Sequence, residues 1–503
     1  MQDETDSFEG AFDNDEPQVA VVPPAVPGYP TASAMPPELE TFVARRHEPP
    51  DALPVKGQLQ DNDLSLFGKT NYTRGYSPVR YVFGIKRKDR RRHLYVIGKS
   101  GVGKTKLLEQ LIRADIHFGF GVGVIDPHGD LINAMLEFVP ENRIQDVVVI
   151  DPADRDFPIS FNPIAGVAEE DKHMVTDSII EIFKKQFASD WSPRIEHLLR
   201  FSTLAMIDYP KGTLNGMVSL LSSGPYRSKV IEHIKDHVVR RFWAIEFPEW
   251  SQRYDAEAVS PLLNKLGQLL ADPLMRNIFG QQENKVDLYD IMQKKKILLV
   301  NLSKGRVGDE KSAFFGAVLV TKLYQASMQR IRLPEKDRLP FYLYVDEFQN
   351  IATRTFENIL AEARKFGFCL TVANQNLSQL SPSLRSSLFG NVASIIVFQI
   401  SAEDAAIMEM EMKPVFEMQD MINLSEREIY VKMTIDGRRW DPFSAEVLPV
   451  TEPRHTSFAE QIMKQSREKY AAARELVEKQ LEGGSDEEKK QEAVKISVDD
   501  IIV

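Results

Sequence analysis

The sequence predicts an α/β protein: a mostly parallel sheet, covered by helices and interrupted by an inserted all-α segment. Three observations carry this expectation. Seven strand-length apolar runs recur along the chain. They are continuous rather than alternating, as strands buried on both faces require. Residues 168–290, between the third and fourth runs, show only helical spacing. At 503 residues, 43% of them apolar, the chain can build about three domains with a large core.

Residues 1–55 are rich in Pro, Asp and Glu, with PQVAVVPPAVPGYP near the centre. That composition does not pack a core, so they read as a disordered acidic tail. It is either a solvating tail or a partner-binding peptide. Residues 56–167 form the first part of the sheet domain, regular from about Tyr81. Its runs are LYVI at 94–97, VGVI at 122–125 and VVVI at 147–150. Residues 168–290 form the all-α insertion, punctuated by Ser192-Pro193, Pro210-Lys211-Gly212 and Ser223-Gly224-Pro225.

Residues 291–455 complete the sheet with ILLVNL at 297–302, YLYV at 342–345, LTVA at 370–373 and SIIVFQI at 394–400. Glu428–Met433 and Arg439–Leu448 then flank Asp436-Gly437, a hairpin signal. Residues 456–503 read as a charged helix, from about Ser457 to Leu481, and a mobile acidic end. The last eight residues, ISVDDIIV, read as a docking peptide or a frayed terminus.

The net charge of −11 argues against nucleic acid only until its distribution is read. Residues 1–50 hold ten acidic side chains against two basic, and residues 471–503 nine against five. The body between is close to neutral, so DNA binding stays open. The only cysteine, Cys369, excludes an intramolecular disulfide and suits a reducing, cytoplasmic setting. No apolar run approaches the ~18–20 residues of a membrane span. The acidic N-terminus is not a secretory signal. The nine histidines show no metal-ligand spacing.

Residues Gly98, Lys99, Ser100, Gly101, Val102, Gly103, Lys104 and Thr105 spell GKSGVGKT. This is a phosphate-cradling loop, set between an apolar strand and a helical pattern as its chemistry needs. The glycines let backbone N–H groups converge on phosphates, and the helix N-terminus adds partial positive charge. Lys104 is placed for the β- and γ-phosphates of ATP, and the Thr105 hydroxyl for Mg2+. The run at 342–345 ends in Asp346-Glu347. Asp346 is expected to hold the metal, and Glu347 to orient or deprotonate the attacking water. The second acid favours hydrolysis over mere binding.

Gln375, ending the next run, senses the γ-phosphate or holds the water; a turn-capping amide is the alternative. Asp126, ending the second run, supports the site or simply makes the turn with Pro127 and Gly129. Arg364 is either an arginine finger reaching a neighbouring subunit or a favourable helix-end cation. The basic run KRKDRRRH at 86–93 reads as a strand lead-in, a nucleotide contact or a DNA patch.

Together, GKSGVGKT, VGVIDPHGD, YVDEFQN, ARKFG and ANQ resemble the TraG/TraD family of type IV secretion coupling proteins, in the wider HerA/FtsK superfamily. The resemblance covers about residues 80–450. It implies a RecA-like motor domain carrying an all-α domain. It implies a homo-hexameric ATPase with ATP sites shared between subunits, moving DNA through a central channel. It also implies that Arg364 acts in trans. Most such proteins carry N-terminal transmembrane helices, where this chain has an acidic, Pro-rich segment. Recruitment to a membrane or secretion channel by a partner therefore stands beside two alternatives. One is a HerA-like DNA-processing or packaging motor. The other is an ATP-dependent protein-recruiting hub.

Overall fold

The computed structural model describes residues 43–72, 79–187, 191–453 and 456–482. The Pro-rich part of the N-terminal tail and the acidic end from 483 lie outside them. The described residues form thirteen strands: β1 Leu64–Thr70, β2 Val82–Lys86, β3 Leu94–Ile97, β4 Gly121–Asp126, β5 Val147–Ile150, β6 Ile297–Asn301, β7 Phe341–Val345, β8 Phe368–Asn374, β9 Ser394–Val397, β10 Glu428–Lys432, β11 Thr434–Ile435, β12 Arg438–Arg439 and β13 Phe443–Val447. Eleven make one sheet in the order β2-β1-β13-β10-β9-β3-β8-β7-β4-β6-β5. From β9 to β5 every pairing is parallel, and these seven strands are the seven apolar runs.

Alternate residues serve opposite faces, as a pleated strand dictates. Tyr95 and Ile97 join one apolar core; Leu94 and Val96 join the other. Helix Lys104–His117 and helix Asp130–Phe138 cover the second face. The long helix Asp309–Gln329 and the helices between 172 and 293 share the core of the first. No strand interrupts residues 151–296 among those described. No helix among the described residues is long and apolar enough to cross a membrane.

Three expectations need correction. First, residues 43–55 are not tail: Ala44 and Leu53 are buried, and Val55 bridges to Phe83. The Arg45 N–H donates to Asp420 at 3.1 Å, and the Tyr430 hydroxyl to the Arg45 carbonyl at 2.9 Å. Second, β1 and β2 extend the sheet beyond the seven apolar runs. Lys69 and Thr70 break the apolar run of LSLFGKT, and Gly68 faces the Phe83 ring so closely that a Cβ would lie 2.6 Å from it. Third, the hairpin is nested. Asp436 (φ 53°) and Gly437 (φ 81°) close only β11 and β12, while β10 pairs with β13, which begins at Phe443.

The charged C-terminal helix spans Ala459–Tyr470 and covers the sheet edge. Ser466 Oγ accepts from the β5 Val149 N–H at 2.9 Å and donates to the Val149 carbonyl, blunting an exposed edge strand. Ala471 then bridges to Ile159, and a separate helix occupies 474–482.

The basic run at 86–93 is mostly architecture. Arg87 and Arg90 are buried, and both donate to Asp115 on helix Lys104–His117, which has no exposed surface. The Tyr344 hydroxyl of β7 also donates to Asp115, while Arg90 donates to that hydroxyl at 2.7 Å. One carboxylate faces two guanidinium groups; the Phe120 and Tyr342 rings, 4.0 and 4.3 Å from the guanidinium carbons of Arg87 and Arg90, offset the excess. Lys86 and Lys88 pair with Asp436. Asp115→Asn should lower unfolding free energy by about 3–5 kcal/mol in urea denaturation, because it leaves buried cations uncompensated. A loss below about 1 kcal/mol would mean that water screens the cluster.

Candidate active site

The phosphate-type loop leaves β3 at the C-terminal end of the parallel strands, where open α/β sheets hold ligands. Gly101 (φ 81°) and Gly103 (φ 112°) occupy the left-handed region. Any side chain at Gly98 would strike Phe398, 2.5 Å from its Cβ. The run SIIVFQI ends as a strand at Val397 because its last residues close onto this loop. The Phe398 N–H donates to the Ile97 carbonyl at 2.9 Å, and Lys99 N–H to the Gln399 carbonyl at 2.8 Å.

Helix Lys104–His117 starts without a side-chain cap, leaving its first N–H groups open to the loop. Lys104 is only 6% exposed. Its ammonium donates to the carbonyls of Gly98 (2.6 Å) and Lys99 (2.7 Å). Among the described residues no carboxylate pairs with it. Burial lowers its pKa, against the opposing pull of Asp346 and Glu347.

Because β8 lies between β3 and β7, the ends of all three strands meet. The Thr105 hydroxyl lies 3.4 Å from Asp346 Oδ2. Burial, helped by the charges of Asp126 and Glu347, pushes the Asp346 carboxyl up to about 6. Glu347 sits at φ 47°, a costly conformation for a side chain with a Cβ. Its N–H donates to Asp346 Oδ1 at 2.9 Å. Gln375 donates its amide N–H to Glu347 Oε1, and Gln349 donates to Oε2. Both oxygens of Glu347 are thus oriented by amides. Gln349 was missed by sequence reasoning; its only signal is the Glu-Phe-Gln spacing after the strand.

Asp126 lies close enough for its charge to act on Asp346, and Arg364 lies apart. Both oxygens of Asp126 accept backbone N–H groups, from His128, Gly129 and Leu131 at 2.9 Å each, so it builds the turn. Arg364 is exposed in the 3-10 turn Ala363–Phe366, at the start of β8. Gln375 follows the far end of that strand, and seven residues at about 3.3 Å each separate the two by roughly 20 Å. Arg364 therefore lies at the opposite end of the sheet from its own loop. It shares that end with Arg92 and Arg91, whose charges, after burial, lower its pKa. His93 is buried behind them; its Nδ1 accepts from Leu370 N–H at 3.0 Å, and burial lowers its pKa to about 4.

No group of three His, Cys, Asp or Glu residues among those described is placed to hold a metal ion. Thr105 and Asp346 suit instead a cation completed by phosphate oxygens and water, the mode typical of magnesium.

The family described as the type IV secretion-system coupling protein DNA-binding domain matches residues 82–427. Comparison with curated protein sequences returns no match. Among solved structures the chain is similar to the plasmid coupling protein TrwB in complex with a non-hydrolysable ATP analogue. The TM-score is 0.54 at 15% identity, covering 75% of this chain and 90% of that one. TrwB with ADP and Mg2+ gives 0.53 at 15%, covering 75% and 89%. An unbound form of the bacterial conjugative coupling protein TrwB gives 0.52 at 15%, with the same coverage. At such identity these likenesses speak to the fold. The family match spans more than half of the sequence, and with it this chain belongs to the type IV secretion-system coupling proteins.

Proposed function

We propose that this chain is a magnesium-dependent ATPase that moves DNA, working as a ring of identical subunits with ATP sites shared between neighbours. The observation that carries the reading is the buried Lys104 ammonium. It sits in a loop at an uncapped helix N-terminus, without a carboxylate partner, opposite Asp346 and Glu347. Such a site favours a phosphate chain and a cation together. TrwB structures that hold an ATP analogue, or ADP with Mg2+, support the same reading.

ATP, when bound, supplies the γ-phosphoryl group that is transferred to water. Lys104 leaves its loop carbonyls for the phosphate oxygens. Thr105 and Asp346 would hold the magnesium. Glu347 takes the proton of the attacking water, its carboxylate aimed by Gln349 and Gln375. Asp126 keeps the turn beside them rigid. Arg364, roughly 20 Å away at the other end of β8, serves a neighbour's site, with Arg92 beside it. DNA as cargo follows from the family, whose matched segment is named for DNA binding. Secretion-channel recruitment is the setting that this family implies.

Glu347→Gln should retain ATP binding by equilibrium titration but lose at least about a hundredfold in turnover. Near-normal hydrolysis would move the base to another residue. Arg364→Ala and Lys104→Ala should each be inactive alone. Mixed, they should recover part of the ATPase rate, since some interfaces then pair an intact loop with an intact arginine. A mixture as dead as its components would contradict shared sites. With the parent chain at low salt, DNA should raise the ATPase rate, and added salt should remove the effect. A rate indifferent to single- and double-stranded DNA would exclude the motor reading.

A further inference from the structure

Helix Lys172–Gln186 is the first helix of the inserted segment. Its seat on helix Asp309–Gln329 includes an edge-to-face contact of Phe183 with Phe314 at 5.2 Å. Past this seat a cleft of about 290 Å³ opens between the end of the helix, the turn after β7 and the start of helix Asp309–Gln329. Lys185 and Asn350 both line it.

Lys185 joins two of its walls. Its ammonium donates to the carbonyls of Ala352 (2.6 Å), Asn350 (3.1 Å) and Gln349 (3.3 Å). Among the described residues no carboxylate pairs with it. A lysine in the last turn of a helix ordinarily serves that helix's own carbonyls. Here the ammonium is delivered to another segment, 164 to 167 residues away in sequence. That segment begins with the turn Phe348–Asn350, whose Gln349 side chain donates to Glu347 Oε2.

We propose that Lys185 is a positioning residue for hydrolysis. It fixes the 349–352 backbone, hence the Gln349 amide, hence the orientation of Glu347, and so ties the inserted helices to the chemistry. It touches neither nucleotide nor water. The inference rests on the reading of Glu347 as the residue that activates water. A group held a fraction of an ångström out of place loses rate without losing substrate affinity.

The test is steady-state ATPase kinetics of the full chain carrying Lys185→Met or Lys185→Arg, with the urea midpoint of each measured alongside. Lys185→Met should lower kcat by roughly tenfold or more and leave the KM for ATP within about twofold. Any fall in its urea midpoint should leave the chain folded under the assay conditions. Lys185→Arg, which still donates to carbonyls, should recover most of the rate. A Lys185→Met rate equal to the parent's would overturn the inference. So would equal losses in both variants, or a loss matched by the fraction unfolded in the assay. An inactive parent chain would instead remove the reading of Glu347. An active parent with an equally active Lys185→Met chain removes only the role of Lys185.

Discussion

A single buried carboxylate, Asp115, sets where the phosphate loop can be. It lies near the end of helix Lys104–His117, away from the loop, and accepts from Arg87, Arg90 and Tyr344. Those partners come from the segment leading into β3 and from β7, and Arg90 also reaches Thr371 of β8 at 3.4 Å. The three strands whose ends form the site are thus fastened to the helix behind them. With its far end held in this way, the helix can keep an uncapped N-terminus and a buried lysine at the other, arrangements that are unfavourable until an anion arrives.

The parallel sheet imposes a second constraint. All side chains at strand ends gather on one edge, and all side chains at strand starts on the other. Lys104, Asp346, Glu347 and Gln375 gather at the first; Arg91, Arg92 and Arg364 gather at the second. In one chain the two sets lie roughly 20 Å apart along β8. If an arginine of the second set completes an ATP site, as proposed, that site belongs to another copy. This is the physical ground for reading the site as shared.

Much of this was legible in the sequence, for identifiable reasons. Fully buried strands read as continuous apolar runs, so the seven parallel strands stand out. The loop at 98–105 and the acids after β7 depend on local chemistry and are visible in short motifs. What escaped depends on contacts that exist only once the backbone is folded, whether near or far in sequence. Arg87 and Arg90 looked like surface charge because Asp115 is 28 and 25 residues away. The turn reading of Asp126 could not be weighed against the site reading, because its backbone partners appear only once the turn is built. Gln349 escaped because nothing local shows its amide turning back on Glu347. β1 escaped because Lys69 and Thr70 interrupt its apolar pattern.

The most direct test of the shared site is a cryo-electron microscopy structure of the full chain with ADP–aluminium fluoride, magnesium and DNA. The account predicts a closed ring with DNA in the channel, and each Arg364 within hydrogen-bond reach of the fluoride cluster held by a neighbour's Lys104 and Thr105. A single-subunit site completed by residues of its own chain, with Arg364 pointing to solvent, would contradict it.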